Sequence, residues 1–335
     1  MADEVLGSGR RVKWHRTPLD RETLTRLNAR SDAEGFKQSL GYLGLLAVSG
    51  GAVMYSADQG WILPTIALLF VYGTFASFAI NAVHELVHRS VFKTQLLNEV
   101  FVRIFAFLGW INFEHFHSSH VRHHQYTLHP PDDLEVVLPI HLLVKQFFQS
   151  AFASPLGVRW VLKNTWRMAN GRWEGDWEHK LFPADDPSKG QPAIIWARIL
   201  LVGHAVVLVT AIALKLWMLP VLISLGPFYG GWLFWLCNNT QHIGLQDNVS
   251  DFRLCCRTFT VNPVVQFLYW HMNYHIEHHM YAAVPCYNLA KLHAAIKYEL
   301  PPCPDGIIAT WLEIAEIQRK QVQDPTYQFV APLPG

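Results

Sequence analysis

Two pairs of long uncharged runs dominate the hydropathy pattern of the chain. Leu40 to Tyr55 carries no charge, nor do the twenty-three residues Trp61 to Val83, and only Ser56-Ala57-Asp58-Gln59-Gly60 separates them. A helix rises ~1.5 Å per residue and a hydrocarbon core is ~30 Å thick. The second run therefore spans a bilayer outright, and the shorter first run does so with help from Ser39 or in a thin bilayer. The pair predicts a transmembrane hairpin with spans at about 39–58 and 61–83. A second hairpin is predicted at about 194–214 and 216–237: Ile199 to Leu214 and Leu216 to Cys237 are uncharged, with Lys215 and Pro220 at the turn. Four crossings return the chain to its starting side. Short outer loops and bulky polar inner segments make that side the cytoplasm.

Between the hairpins, Leu96–Phe113 and Val136–Phe152 are apolar but interrupted by charge, which fits interfacial helices better than spans. Gly171 to Gln191 is rich in polar and turn residues and reads as a surface loop. The expected organisation is a cytosolic N-terminal segment (1–38), one membrane domain (39–301) whose cytosolic cap is 84–192 and 238–301, and a cytosolic tail (302–335). The fold class is all-α: four transmembrane helices in two hairpins under a helical cap. No internal repeat is present. Met1 to Gln38 lacks an apolar h-region, so it is not read as a signal peptide. Its basic cluster Arg10, Arg11, Lys13 and Arg16 reads as a solvated or headgroup-facing tail.

Composition agrees with a membrane-embedded unit. Apolar residues make up 51% and charged residues 16%, below the usual quarter for soluble domains. A net charge of +1 with no basic stripe argues against a nucleic-acid partner. Five cysteines without a C-x-x-C, including the adjacent Cys255 and Cys256, read as reduced, buried and unreactive thiols.

The histidines change the picture from scaffold to chemistry. Eight of the eighteen fall between His84 and His129, and five between His271 and His293. His84-Glu-Leu-Val-His88 follows the second span, and an i, i+4 pair puts both imidazoles on one helical face. It is also the H-E-x-x-H of zincins, but it caps a membrane helix and stands beside two further groups. Those groups, His120-Val-Arg-His123-His124 and His275-Ile-Glu-His278-His279, share the spacing H-x-x-H-H, with positions i, i+3 and i+4 on one face. A metal is the partner that explains all eight. Eight or nine nitrogen ligands divided between two metals give four or five each, against the four of tetrahedral structural zinc, while imidazole alone does not choose among Fe, Cu, Ni and Zn. Glu85, Asp132, Asp133 and Glu277 are candidates to orient imidazoles from behind, and His271 is an extra histidine of the same supporting kind. His115 and His117 are read likewise. His15, His129, His141, His179 and His293 read as exposed or hydrogen-bonded side chains, and His204, inside the third span, as a neutral imidazole bonded to a neighbouring helix.

The three boxes, in this order and set among two hydrophobic hairpins, resemble the membrane fatty acid desaturase family over roughly Leu40 to Pro301. The resemblance implies two iron ions as cofactor, O2 as co-substrate, and a lipid or acyl substrate. It implies electrons from a cytochrome b5 or ferredoxin type of donor; with no His-Pro-Gly-Gly segment in the chain, that donor is expected to be a separate protein. It also implies a ninth ligand between the last span and the third box, with an Asn four residues earlier reaching a metal through water. His242 and Asn238 match that pattern. The di-iron centre itself would carry the chemistry, with no separate acid or base. The implied membrane is the endoplasmic reticulum of a eukaryote or the inner membrane of a bacterium. A hydroxylase or other oxygenase of a lipid, hydrocarbon or terpenoid shares the same spacing. A membrane metal transporter would place its ligands at the midplane of spans, where only His204 lies, and a catalytically dead lipid-binding protein fits poorly with three complete boxes.

Overall fold

A computed structural model describes residues 11–140, 142 and 144–334; Arg10 and His141 lie outside the described residues. The described chain is all-helical, with isolated β-bridges but no strand. It divides into two compact units, one built from residues 31–117 and 143–235, the other from 1–30, 118–142 and 236–335.

The first unit holds the apolar helices. Three are long and apolar enough to cross a membrane: Asp32–Asp58, Ile62–Val87 (with a short break at residues 77–78) and Pro187–Leu214. A fourth qualifies only if the sharply bent pair Gln95–Leu108 and Phe113–Tyr126 is taken as one. Asp32–Asp58 starts where the Ser31 hydroxyl accepts from the Glu34 N–H, with Asp32 and Glu34 in the first turn, as the helix dipole favours. It ends at Gly60, whose φ of 71° reverses the chain. The two helices around that turn pack together: Thr65 donates to Ser56 at 2.9 Å near the turn, and the Tyr42 hydroxyl reaches the Phe75 carbonyl at the far end.

Pro187–Leu214 turns Ile195, Ile199, Val202, Val206, Leu208, Val209, Ile212 and Leu214 outward. Moving such side chains from water to hydrocarbon is worth roughly 1.5–3 kcal/mol each, so the band together favours a bilayer by ~10 kcal/mol or more. Arg198 is exposed and donates to the Ala169 carbonyl, whereas the one ionisable group of Ile199–Leu214, His204, is buried. His204 stacks between Trp110 (3.7 Å) and Phe107 (4.3 Å) and bonds the Ser224 hydroxyl (2.8 Å) and the Phe107 carbonyl (3.1 Å), a neutral structural imidazole.

The uncharged run 216–237 is not one helix. It breaks into Met218–Ile223, a 3-10 turn Gly226–Phe228 and Trp232–Asn238. Pro220 and Pro227 interrupt the ladder, and Gly230 adopts φ 67°. The freed backbone is satisfied by neighbours: the Tyr72 hydroxyl donates to Leu222 O at 3.1 Å, and Thr74 Oγ1 lies 3.0 Å from Gly230 O. The crossing is possible because Gly73 has no side chain; a Cβ there would lie 2.2 Å from the Tyr229 carbonyl oxygen. Gly73→Val is expected to lower stability by ~1–3 kcal/mol or more, read as earlier thermal aggregation in detergent. An unchanged melting curve would count against this packing.

Two elements go beyond the sequence reading. Pro155–Ala169, started by Ser154 and Pro155, is a helix with Leu156, Trp160, Leu162 and Trp166 exposed; Arg159, Lys163 and Arg167 hid its apolar positions. The 171–191 loop contains the short helix Gly175–Leu181, where Leu181 and Phe182 form a small core with Ala193, Trp173 and Trp177.

The second unit gathers both ends of the chain around its middle. Arg11, Lys13 and Arg16 are exposed as expected. Between them Trp14 stacks on Phe252 at 4.1 Å and donates to Gln125 O, and the His15 N–H donates to Ser250 O. The N-terminal segment is therefore packed, not merely solvated. The tail forms the helix Gly306–Gln323, and Phe329 N–H donates to Gly244 O.

Candidate metal centre

Seven of the nine predicted ligands belong to the second unit. His120, His123 and His124 share the helix Phe113–Tyr126; His275, His278 and His279 form the short helix His275–Met280; His242 lies in the turn after Trp232–Asn238. All are buried except the half-buried His124. The spacing i, i+3, i+4 presents each triplet on one face. Ligand atoms of His120, His124 and His278 lie within 4.8 Å of one another, and so do those of His242, His275, His279 and Cys256. His123 lies beside the second set, its ring 5.1 Å from His242 and 5.0 Å from His279.

The outward nitrogens decide what the inward ones can do. His120 Nδ1 lies 2.9 Å from Glu135, His123 Nδ1 lies 2.8 Å from Asp133, and His242 Nδ1 donates to the Cys255 carbonyl at 2.7 Å. The Thr127 hydroxyl spends its proton on His123 O at 2.6 Å, so it accepts from His279 Nδ1 at 3.2 Å. Each acceptor fixes the proton on Nδ1 and leaves a bare lone pair on Nε2. Those Nε2 atoms face other imidazoles: His242 and His279 each meet His275 Nε2, at 3.0 and 3.1 Å, and His124 Nε2 meets His120 and His278 at 3.0 and 3.1 Å. One His275 proton cannot serve two lone pairs. A cation can, so the donor set fits metal.

Burial, with charge from His123 next to it, holds the His242 imidazole down at about 3, and burial among the other imidazoles holds His279 well below the ordinary range. His123 goes the other way: burial alone would lower it, but Asp133 raises it. Where the folded pKa is depressed and the unfolded value is about 6.5, the unfolded chain binds more protons between these limits. Stability then falls as pH drops below about 6.5. Metal-stripped protein should thus melt at lower temperature at pH 5 than at pH 7, with His123 opposing the trend; a flat profile would contradict it.

His84 and His88 belong to the first unit, at the end of Ala79–Val87. Their rings lie 5.5 Å apart, and the Glu85 carboxylate is 3.5 Å from His84 Nδ1. Burial, with His117 nearby, pulls His88 down to about 3.

The candidate supporting residues differ in their partners. Asp133, fully buried, backs His123. Asp132 faces Arg122 instead (3.7 Å), because the turn at 129–133 sends the two acids opposite ways. Glu277 bonds the Thr258 hydroxyl (2.5 Å) and His293, not a box imidazole. His271, at φ 59°, pairs with Gln266 at 3.0 Å, a turn role. Asn238 is half-buried at the end of its helix. His129 bonds nearby carbonyls, His15 meets Glu299, and His179 is exposed. Glu135, Thr127 and Cys256 were not anticipated.

A family model described as fatty acid desaturase matches residues 18–310. The chain belongs to the fatty acid desaturase family. Among curated proteins no match is found. Family membership makes this an oxidoreductase of the desaturase or oxygenase type with a lipid acyl substrate and a membrane context, and with the histidine clusters it implies a metal cofactor.

Proposed function

We propose that the chain uses two iron ions and O2 to oxidise an unactivated C–H bond, desaturating a fatty acyl chain or related lipid. The observation that carries this reading is the excess of bare Nε2 lone pairs turned on one another in a buried cluster, in a chain of this family. The ligands in this reading are His84, His88, His120, His123, His124, His242, His275, His278 and His279, with Asn238 reaching a metal through water. When bound, the iron pair supplies an oxidant strong enough for a methylene that no side chain can deprotonate. The protein's own part is to hold each Nδ1 proton outward through Glu135, Asp133, Thr127 and the Cys255 carbonyl, so that Nε2 stays free. No carboxylate is needed as ligand, and no separate acid or base.

Parity supports a four-span topology. Residues 11–30, 118–142 and 236–334 fold as one compact unit and so share one side of the membrane. An even number of crossings must separate them. Asp32–Asp58 and Ile62–Val87 supply two before residue 118, which leaves no crossing for the bent pair that follows. Pro187–Leu214 supplies one before residue 236, so the broken segment 216–235 completes the fourth. Short connections at Gln59–Trp61 and Lys215–Trp217 favour a cytosolic assignment of the shared side. A separate cytochrome b5 or ferredoxin type of protein supplies the electrons.

Expression in a host with a simple lipid profile, followed by lipid mass spectrometry, tests the reaction. Loss of two hydrogens supports desaturation. Gain of one oxygen identifies a hydroxylase on the same scaffold, and no new product in lipids or metabolites overturns the reading.

A further inference from the structure

Cys256 was read from sequence as an inert buried thiol, yet it sits among the imidazoles. Its Sγ and one nitrogen each of His242, His275 and His279 all lie within 4.8 Å of one another, and all four residues are buried. The placement is enforced from two sides. The backbone N–H of Arg257 donates to Gln241 O at 2.9 Å, and its guanidinium donates to Thr240 O at 2.6 Å and Ile243 O at 3.1 Å. This ties the segment after Cys256 to the turn that carries His242. Two residues on, the Thr258 hydroxyl accepts from the Ile276 N–H at 3.1 Å and bonds Glu277, which ties the same segment to the helix carrying His275 and His279. Cys255 contributes its carbonyl to His242. Its thiol is 3.9 Å from that of Cys256, so the two are not joined as a disulfide.

We propose that the Cys256 thiolate is a direct ligand of the metal held by His242, His275 and His279. The inference rests on the metal-centre reading above. It makes the two metals unlike: one site is bound by imidazoles alone, the other by imidazoles and one sulfur. Imidazole nitrogens and a thiolate are donors that a borderline-soft divalent ion accepts together. Forming the metal–sulfur bond displaces the thiol proton. A cavity of about 110 Å³ lined by Cys256, Arg257, Thr258 and His293 reaches this side of the cluster and has room for water to carry the proton away.

X-ray absorption on purified full-length protein loaded with zinc as probe reads the ligands without turnover. The expected result is a sulfur scatterer at about 2.3 Å, in an amount of one sulfur for two metals. Cys256→Ser should remove that sulfur and weaken one of the two metals by about 10-fold or more, since even residues behind a ligand contribute 10–100-fold. Cys255→Ser should keep the sulfur. Two bound metals with only nitrogen and oxygen neighbours in the unmutated protein would overturn the proposal while leaving the histidine centre standing. Protein that holds no metal overturns both.

Discussion

Replacing His279 with alanine is expected to abolish product formation and to reduce bound iron from about two per chain to about one on the ligand count, while the protein stays in the membrane. His279 meets several of the other imidazoles. Its Nε2 lies 3.1 Å from His275, its ring stacks on His124 at 4.3 Å, and His123 and His242 flank it. Its Nδ1 is committed to Thr127, and the neighbouring His123 and His242 are held by their own outward bonds to Asp133 and the Cys255 carbonyl. The apolar helices do not depend on it, so insertion should be intact. Iron analysis and lipid mass spectrometry on washed membranes decide the matter, and a variant that still turns over at the original rate removes His279 from the centre.

Asp133→Asn should do its damage one step back. The carboxylate accepts three hydrogen bonds: from His123 and the Leu128 N–H on one oxygen, and from the Glu135 N–H on the other. Burial alone would raise its pKa, but His123 and these bonds hold it below the ordinary carboxylate value. An amide can offer only one acceptor edge. If its NH2 faces Glu135, a buried donor is stranded, at ~1–3 kcal/mol. If it faces His123, the imidazole must move its proton to Nε2 and lose its inward lone pair. Either way metal affinity should fall about 10–100-fold, with residual activity recoverable at high iron. Chelator competition measures it, and an unchanged affinity would show that His123 needs no backing.

The part of this centre that was legible in the sequence was the part with a short-range period. The triplets His120-x-x-His123-His124 and His275-x-x-His278-His279 face inward because helical geometry alone puts i, i+3 and i+4 together. What was not legible came by tertiary return. Glu135 meets His120 only because the chain doubles back after Tyr126, and nothing in the spacing separates it from Asp132, which turns away to Arg122. Cys256 looked inert because its neighbours in sequence carry no ligand pattern; its neighbours in space do. In the membrane part, uncharged runs located the apolar helices. Over 216–237 the same criterion overrode two prolines and the Gly230-Gly231 pair, whose breaks are kept because Thr74 and Tyr72 cap the opened carbonyls.

The histidine-bearing unit is a three-part assembly drawn from the start, middle and end of the polypeptide. Synthesis therefore delivers its pieces out of step. The helices that insert are finished while the third box is still unmade, and Trp14 waits for Phe252 to find its stacking partner. A chain halted before Leu236 would lack residues of both sets of imidazoles.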